Sequence, residues 1–236
     1  MPLYSDPRLL AAGIIHGTTD RAAGNMRLAE NTHTLFQMLD IPEEKILRFQ
    51  QIHSDTIVTV ADVGQARTVQ QGTLPQADGW VISHCPGWGA AILTADCVPL
   101  ILWDERAQVI GLAHSGWRGV AVGLPGKMVR TMRQAGAEGT LCAWVGPHIQ
   151  NCCFEVQDDV AAQFSNYIEK RNNKLFVNLN QAILDQFAAE GLPKDRVSLP
   201  YYCTCGDKEH FFSYRRDHTK DALLTFVYTP PTKPLA

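Results

Sequence analysis

A thiol and two imidazoles stand at the ends of short apolar segments in this chain of 236 residues. Cys97 and His114 border apolar runs, and His53 lies 44 positions before Cys97 and 61 before His114. One thiolate and two imidazoles, with a fourth position left for water, are the ligand set of a catalytic zinc site. Zinc lowers the pKa of a bound water from about 16 to about 7 and so supplies hydroxide at neutral pH. The three residues predict a metal centre, with a packed cysteine and hydrogen-bonded histidines as the open alternatives.

The elements that must position these residues fall between Ala91 and Gly119. Residues 90–95, 98–103 and 108–113 are apolar runs bounded by polar or turn residues, which predicts three buried strands. Cys97 and His114 then lie at strand ends, and the rim of a buried sheet is where active sites are usually built.

The rest of the chain predicts strands in clusters between helices. That order favours an α+β or mixed α/β layered fold, as a single domain over residues 1–236 with a loose proline-rich tail over 229–236. Residues 64–77 are polar and predict an exposed loop, and the apolar segment 222–228 is ambiguous. Further strands are predicted at 11–16, 45–49, 56–60, 78–83, 141–145, 197–199 and 211–214, and helices at 31–41, 120–135, 156–170 and 180–190.

Composition excludes several classes of function. With 45% hydrophobic residues and a net charge of −3, the chain can bury a sizeable core and presents no basic face, so nucleic-acid binding is not expected. No apolar run approaches the about 20 residues of a membrane span. Seven cysteines without a recognisable secretory leader predict reduced thiols and a cytoplasmic location.

Two charged side chains near the predicted metal ligands have open interpretations. Arg118 lies between glycines and either clamps a phosphate or carboxylate or forms a salt bridge that holds the loop. Asp96 precedes Cys97 and either acts as a general acid or base or caps a turn. Arg215 and Arg216 pose the same choice as Arg118.

A second group of candidate ligands comprises Cys203, Cys205 and His210. Only three are present and the C-x-C spacing is unusual for zinc, so a metal site is not favoured. The adjacent Cys152 and Cys153 are expected to be packed or redox-silent, and His148 is expected in a turn.

Several short motifs in fixed order resemble those of one family, the laccase-domain or polyphenol-oxidase-type (YfiH-like) family, whose members are described as purine nucleoside phosphorylases with adenosine deaminase activity. The resemblance covers nearly the whole chain. The motifs are Gln51-Ile52-His53-Ser54, Ala77-Asp78-Gly79, Thr94-Ala95-Asp96-Cys97-Val98-Pro99, His114-Ser115-Gly116-Trp117-Arg118-Gly119, Gly146-Pro147-His148-Ile149 with Cys153-Phe154-Glu155-Val156, and Phe211-Phe212-Ser213-Tyr214-Arg215-Arg216-Asp217.

The resemblance implies a site and a fold. The family's zinc ligands fall on His53, Cys97 and His114, which would also be the catalytic residues, with copper as an alternative metal. The implied fold is a layered α/β/β/α sandwich with two central mixed sheets, similar to that of the glutamine-deamidating toxins. The implied substrate-binding residues are Asn25, Gln51, Arg118 and Arg216.

The implied reactions are phosphorolysis of adenosine, inosine and methylthioadenosine, and deamination of adenosine. The partners would be a nucleoside and phosphate, without nucleic acid or membrane, and the protein would be a monomer or weak homodimer. The chain departs from the family pattern at Phe154, where a tyrosine is usual, and at Lys220-Asp221, where Gly-Arg is usual after threonine.

Three other classes of function remain open from the sequence. A Cys/His amidohydrolase that edits peptidoglycan precursors would use Cys97 as nucleophile and His114 as base. A copper polyphenol oxidase is disfavoured because none of the eight histidines forms an H-x-H pair. The last class is a binding module without enzymatic activity.

Overall fold

Two mixed β-sheets pack face to face, with helices on their outer faces. The structure is a computed structural model and describes residues 3–104 and 109–231. The strands are β1 (Leu3–Tyr4), β2 (Ile15–Thr19), β3 (Ile46–Leu47), β4 (Gln50–Gln51), β5 (Ile57–Val60), β6 (Gln76–Ala77), β7 (Gly79–Ser83), β8 (Trp88–Thr94), β9 (Val98–Asp104), β10 (Val109–Ser115), β11 (Leu141–Val145), β12 (Glu155–Val156), β13 (Ile168–Arg171), β14 (Lys174–Val177), β15 (Val197–Ser198) and β16 (Leu223–Thr229). The helices are α1 (Pro7–Ala11), α2 (Ala29–Met38), α3 (Val63–Gln71), α4 (Trp117–Ala121), α5 (Leu124–Gln134), α6 (Asp158–Ala161), α7 (Leu179–Ala189) and α8 (Tyr214–Asp217), with short 3₁₀ turns at Arg21–Ala23, Glu43–Lys45, Ala162–Tyr167 and Lys194–Arg196.

One sheet has five strands in the order β1-β2-β16-β8-β3, and the other has six in the order β15-β11-β9-β10-β7-β5. Most neighbours are antiparallel, and the pairs β3–β8, β5–β7 and β11–β15 are parallel. Two small sheets, β12-β14-β13 and β4-β6, lie beside them.

Alternation along the strands divides the core into layers, because successive side chains point to opposite faces of a sheet. On β10, Ile110 and Leu112 face the layer between the two sheets, where Trp103 is buried. Val109 and Ala113 face the opposite side and pack with apolar residues of α5 and α7. The apolar side of α2 covers the five-stranded sheet. This arrangement confirms the expected mixed α/β fold.

Two predicted elements were wrong because local hydrogen bonding overrode the residue pattern. Residues 64–77 include α3, which begins where the Asp62 carboxylate accepts a hydrogen bond from the backbone N–H of Gln65 at 2.9 Å. A helix on the surface that buries little apolar area leaves a weak pattern. Residues 211–214 are not a strand, because the Ser213 side chain caps α8 by accepting from the N–H of Arg216 at 3.2 Å.

The predicted boundaries elsewhere were partly wrong. The strand expected at 11–16 begins at Ile15, after α1. The helix expected over 156–170 is interrupted at Phe164 and ends in β13. Strands β8, β9 and β11 were predicted to within two residues at each end. Gln108, at the start of the predicted third strand, and residues 232–236 of the predicted tail lie outside the described residues.

The ambiguous segment 222–228 forms most of β16, in the centre of the five-stranded sheet. Among the helices of the described ranges, none combines the length and apolar character needed to cross a membrane.

Candidate active site

The three residues predicted to bind a metal meet at one edge of the sandwich. The ligand atoms of His53, Cys97 and His114 all lie within 4.8 Å of one another. The two imidazole rings are nearly perpendicular, with ring centroids 4.8 Å apart. We call this group the His/Cys site.

Strand register brings Cys97 and His114 together. Cys97 lies in the short connection from β8 to β9, which passes from one sheet to the other. In the antiparallel β9–β10 pair, Val98 is opposite Ser115 and Pro99 is opposite His114. Cys97 therefore lies beside the end of β10 that carries His114.

His53 reaches the same place through the parallel pair β4–β6, in which Gln51 is opposite Ala77. The loop after β4 then turns through a left-handed backbone conformation at His53, with φ of 59°. Gly116 leaves room for the site, because a Cβ there would lie 3.1 Å from both the Sγ of Cys97 and the Cδ2 of His53.

A buried carboxylate orients His114. Asp78 follows β6, is fully buried, and its Oδ1 lies 2.8 Å from the Nδ1 of His114. Its Oδ2 accepts hydrogen bonds from the backbone N–H and the hydroxyl of Ser54. A proton held on Nδ1 leaves Nε2 of His114 as the free ligand atom, as in carboxylate–histidine–metal arrangements. Asp78 belongs to the Ala77-Asp78-Gly79 motif, but the sequence by itself gives this aspartate no role.

The charges of the site favour a thiolate. Burial by itself would raise the pKa of the Cys97 thiol, but the charge of His114 and hydrogen bonds from His114 and His53 outweigh burial and lower that pKa to about 6. Burial disfavours the imidazolium of His114, but Cys97 and Asp78 raise its pKa to about 9. A thiolate is both the form that binds metal and the form that attacks as a nucleophile.

The donor set fits a zinc ion. One soft thiolate and two imidazoles are typical zinc ligands. The three side chains come from two loops and the end of β10, without a fourth protein ligand in the described cluster. A three-ligand set leaves an open position, which distinguishes catalytic from structural zinc sites.

Two clefts meet at the His/Cys site, and His53, Cys97, Ala95 and Tyr214 line both. The first, which we call the apolar cleft, has a volume of about 260 Å³. It is lined by Trp117, Ile149, Phe154 and Leu179, with Arg118 and Arg215. The second, which we call the polar cleft, has a volume of about 610 Å³ and is lined by Arg27, Gln50, Gln51, Thr219, Lys220 and Asp221.

Two of the four predicted substrate-binding residues line these clefts. Arg118 lies in the apolar cleft with its guanidinium over the Trp117 ring, 4.3 Å from the ring centroid. Gln51 lines the polar cleft, but its amide is paired at both ends with the backbone of Leu93, at 2.8 and 2.9 Å. These contacts fix the loop that carries His53, and the substrate-binding roles stay predictions.

The other two lie outside the residues that line the clefts. Asn25 donates to the Asp221 carboxylate at 2.8 Å and accepts from the N–H of Ala222. The guanidinium of Arg216 donates to the carbonyls of Thr204 and Phe211 and to Asp217. Their predicted contact with substrate stays a prediction.

Arg215, next to Arg216, lines the apolar cleft instead. Its Nη1 donates to the Glu155 carbonyl at 2.6 Å, and its guanidinium lies over the Phe154 ring. The sequence leaves the role of this pair open, because the residue pattern of a one-turn helix such as α8 does not show which arginine points inward.

Asp96 has a structural partner for each carboxylate oxygen. Oδ1 accepts from Thr204 at 2.6 Å, and Oδ2 accepts from the Ser213 hydroxyl at 2.9 Å and the Arg215 N–H at 2.7 Å. These bonds hold a non-glycine residue at φ of 84°. Of the two interpretations of Asp96, the structure supports the turn-anchoring one.

The fold and the site together define a class of protein, a layered α/β/β/α sandwich with a two-histidine, one-cysteine cluster at the mouth of two clefts. A family model described as multi-copper polyphenol oxidoreductase laccase matches residues 18–227. The chain therefore belongs to this laccase-like family, which confirms the resemblance seen in the motifs.

The relatives carry names from nucleoside chemistry. The purine nucleoside phosphorylase YlmD of Geobacillus stearothermophilus is 30% identical over 214 residues, which cover 85% of this chain and 78% of the relative. The purine nucleoside phosphorylase of Deinococcus radiodurans is 32% identical over 84% of this chain and 75% of its own. Adenosine deaminase RL5, from an unknown prokaryotic organism, is 28% identical over 81% of this chain and 77% of its own.

Solved structures share the fold. The crystal structure of YlmD from Geobacillus stearothermophilus superposes with a TM-score of 0.84 at 26% identity and covers 93% of both chains. That of the hypothetical protein YfiH from Bacillus licheniformis has a TM-score of 0.82 at 24% identity, covering 91% of this chain and 92% of its own. The relatives support a nucleoside-processing enzyme.

Proposed function

We propose that this protein is a zinc-dependent purine nucleoside phosphorylase that also deaminates adenosine. The observation that carries the proposal is the convergence of His53, Cys97 and His114 at the edge of a cleft that has apolar walls and two arginines. The names of the relatives support the substrate class.

His53, Cys97 and His114 would hold the zinc ion. When bound, zinc supplies Lewis-acid activation of an oxygen at the open ligand position. Asp78 keeps the proton on Nδ1 of His114, so that the other ring nitrogen stays available as a ligand.

The apolar cleft suits the purine base. Trp117 and Phe154 supply aromatic surface for stacking, and Ile149 and Leu179 exclude water from the bound ring. Arg118 and Arg215 bring two cations to the same cleft, and guanidinium groups bind phosphate oxygens in pairs.

Two reactions follow from this placement. In phosphorolysis, a phosphate oxygen bonds to C1′ of the ribose as the bond from C1′ to the base nitrogen breaks, giving free purine and ribose 1-phosphate. In deamination, a water oxygen bonds to C6 of adenine and the amino group leaves as ammonia, giving inosine. Methylthioadenosine would undergo the first reaction.

In the test, adenosine is incubated with the zinc-loaded protein, with and without phosphate, and the products are measured. We expect adenine and ribose 1-phosphate only when phosphate is present, and inosine in both conditions. Absence of all three products from protein whose His/Cys site contains zinc would overturn the proposal. Elemental analysis of the purified protein identifies the metal and distinguishes zinc from copper.

A second candidate function is amide hydrolysis by Cys97. The observation that favours it is the chain of contacts from Asp78 through His114 to Cys97, which has the order of a Cys–His–Asp triad. A chelator separates the two candidates, because removal of metal abolishes the zinc chemistry and leaves a thiolate nucleophile active.

A further inference from the structure

Three thiols outside the His/Cys site also meet. The Sγ atoms of Cys152, Cys153 and Cys203 lie within 4.8 Å of one another, and those of Cys152 and Cys153 are 3.6 Å apart. Zinc with four Zn–S bonds of about 2.3 Å separates its sulfurs by about 3.8 Å in a tetrahedron. We call these residues the thiol cluster; none of them lines the apolar or the polar cleft.

Backbone pairing brings the two loops of the thiol cluster together. His148 and Cys203 form a parallel bridge, and the N–H of Thr204 donates to the His148 carbonyl at 3.1 Å. The cluster is therefore set by the fold rather than by chance contact of long side chains.

The sulfur of Cys203 is surrounded by donors. It accepts hydrogen bonds from the backbone N–H of Gln150 at 3.3 Å and of Gly206 at 3.4 Å. Two N–H groups aimed at one sulfur stabilise negative charge there, as they do for thiolates bound to metal.

A fourth thiol is close by. Cys205 is half-buried, lies two residues beyond Cys203, and packs against the same apolar cluster as Cys153 and Cys203. The next residue, Gly206, is so close that a Cβ there would lie 3.8 Å from the Sγ of Cys153. Thr204, between them, turns its hydroxyl away to the Asp96 carboxylate. His210, considered with these cysteines from the sequence, is paired instead with Asp207 at 2.9 Å.

We propose that Cys152, Cys153 and Cys203, with Cys205 as the fourth ligand, bind a second zinc ion that has a structural role. Thiolates select soft or borderline cations, and a site with four protein sulfurs has no open position for a substrate. The ion would cross-link the loop that carries Phe154 to the loop that Arg216 and Asp96 hold in place. It would therefore fix one wall of the apolar cleft.

The test uses the full chain with Cys97→Ala, which removes a ligand from the His/Cys site, so that the result does not depend on the proposed function. Cadmium is titrated into this variant in a phosphine reductant, and the ultraviolet absorption of cadmium–thiolate bonds is followed. We expect one tightly bound equivalent of cadmium, and the same equivalent should displace zinc from the zinc-loaded variant. X-ray absorption of the zinc-loaded variant should show a first shell of sulfur alone, at about 2.3 Å.

Matched serine variants in the same Cys97→Ala chain locate the ion. Cys203→Ser should lose this equivalent, and Cys85→Ser should keep it, because Cys85 is buried elsewhere with its thiol donating to the Ser83 carbonyl. If Cys203→Ser does not fold, Cys152→Ser replaces it, since Cys152 is exposed.

Two results would overturn the proposal. One is a Cys97→Ala chain whose cadmium–thiolate absorption is no stronger than that of the same chain with a further Cys152→Ser substitution, when the latter is folded. The other is a nitrogen-containing first shell for the zinc that remains in the Cys97→Ala chain.

Discussion

The His/Cys site and the thiol cluster use the same sulfur chemistry in two different settings. At the His/Cys site, Cys97 and His114 lie at the ends of strands, and a buried carboxylate orients the imidazole. At the thiol cluster, three sulfurs from two loops meet, and that of Cys203 faces two backbone N–H groups. The first opens onto two clefts, and the second lines neither. The difference teaches that the groups around a cysteine decide between a reactive and a structural role.

Asp96 connects the two regions. It adjoins Cys97 in the sequence, its carbonyl accepts from the N–H of Ile149, and its carboxylate accepts from Thr204, which lies between Cys203 and Cys205. Substitutions at one region should therefore alter activity and metal content differently from substitutions at the other. Substitutions at Asp96 should affect both regions.

The largest expected effect is that of Cys97→Ala. Loss of the only sulfur in the His/Cys site should remove one zinc per chain and lower kcat/KM for adenosine by at least about three orders of magnitude. Steady-state assays and elemental analysis measure the two effects, with Cys85→Ser as the control that keeps both. Full activity in a Cys97→Ala protein that has lost this zinc would break the assignment of this site to catalysis.

Asp96→Ala should lower the stability of the fold and not only the activity. It leaves the hydroxyls of Thr204 and Ser213 and the N–H of Arg215 without their carboxylate, and such hydrogen bonds to charged groups are worth about 1.5–3 kcal/mol each. We expect a loss of about 3 kcal/mol in the free energy of unfolding by urea. Asp195→Ala, at an exposed aspartate, serves as the control, and equal stability of the two variants would contradict the anchoring role.

Asp78→Asn tests the buried carboxylate behind His114. An amide keeps the volume but can no longer fix the imidazole tautomer as a carboxylate does, so metal affinity or kcat/KM should fall by about 10–100-fold. Metal titration and steady-state kinetics measure this effect. Asp62→Asn, at the N-cap of α3, should leave both unchanged.

Arg118→Gln separates the two proposed reactions. If the guanidinium binds phosphate, its loss should raise KM for phosphate about tenfold or more and leave inosine formation from adenosine within about twofold. The ratio of the two product rates is the measurement. A parallel fall in both reactions would assign Arg118 to the nucleoside or to the loop instead.

The smallest expected effect concerns His16, in the sheet that carries no metal ligand on its strands. Burial lowers the pKa of His16, whose Nε2 accepts from the N–H of Asp6 and whose Nδ1 donates to the Ile14 carbonyl. Because the folded pKa lies below the unfolded value of about 6.5, the unfolded state binds more protons, and stability falls as the pH drops below about 6.5.

His16→Gln should therefore weaken the pH dependence of the unfolding free energy between pH 7 and 5. Urea denaturation at a series of pH values measures this change. An unaltered slope in His16→Gln would contradict a buried neutral imidazole.

Much of the architecture could be read from the residues because buried strands leave long apolar runs. Strands β8, β9 and β11 belong to this class, and the amphipathic α5 was located through Met128, Val129 and Met132. Elements held by a single cap, such as α3 and α8, escaped detection because one hydrogen bond leaves no periodic pattern.

The sequence by itself determined the apolar runs that become the central strands, the mixed α/β class, and the three residues of the His/Cys site, which family motifs carried. Only the tertiary structure decided that Asp78 backs His114, that Arg215 rather than Arg216 faces the apolar cleft, and that Cys152 and Cys153 meet Cys203. Periodicity is a local property of the chain. Asp78 and His114 are 36 positions apart, and the loops of the thiol cluster are more than 50 positions apart. Such contacts depend on sheet register and loop pairing, which no local pattern encodes.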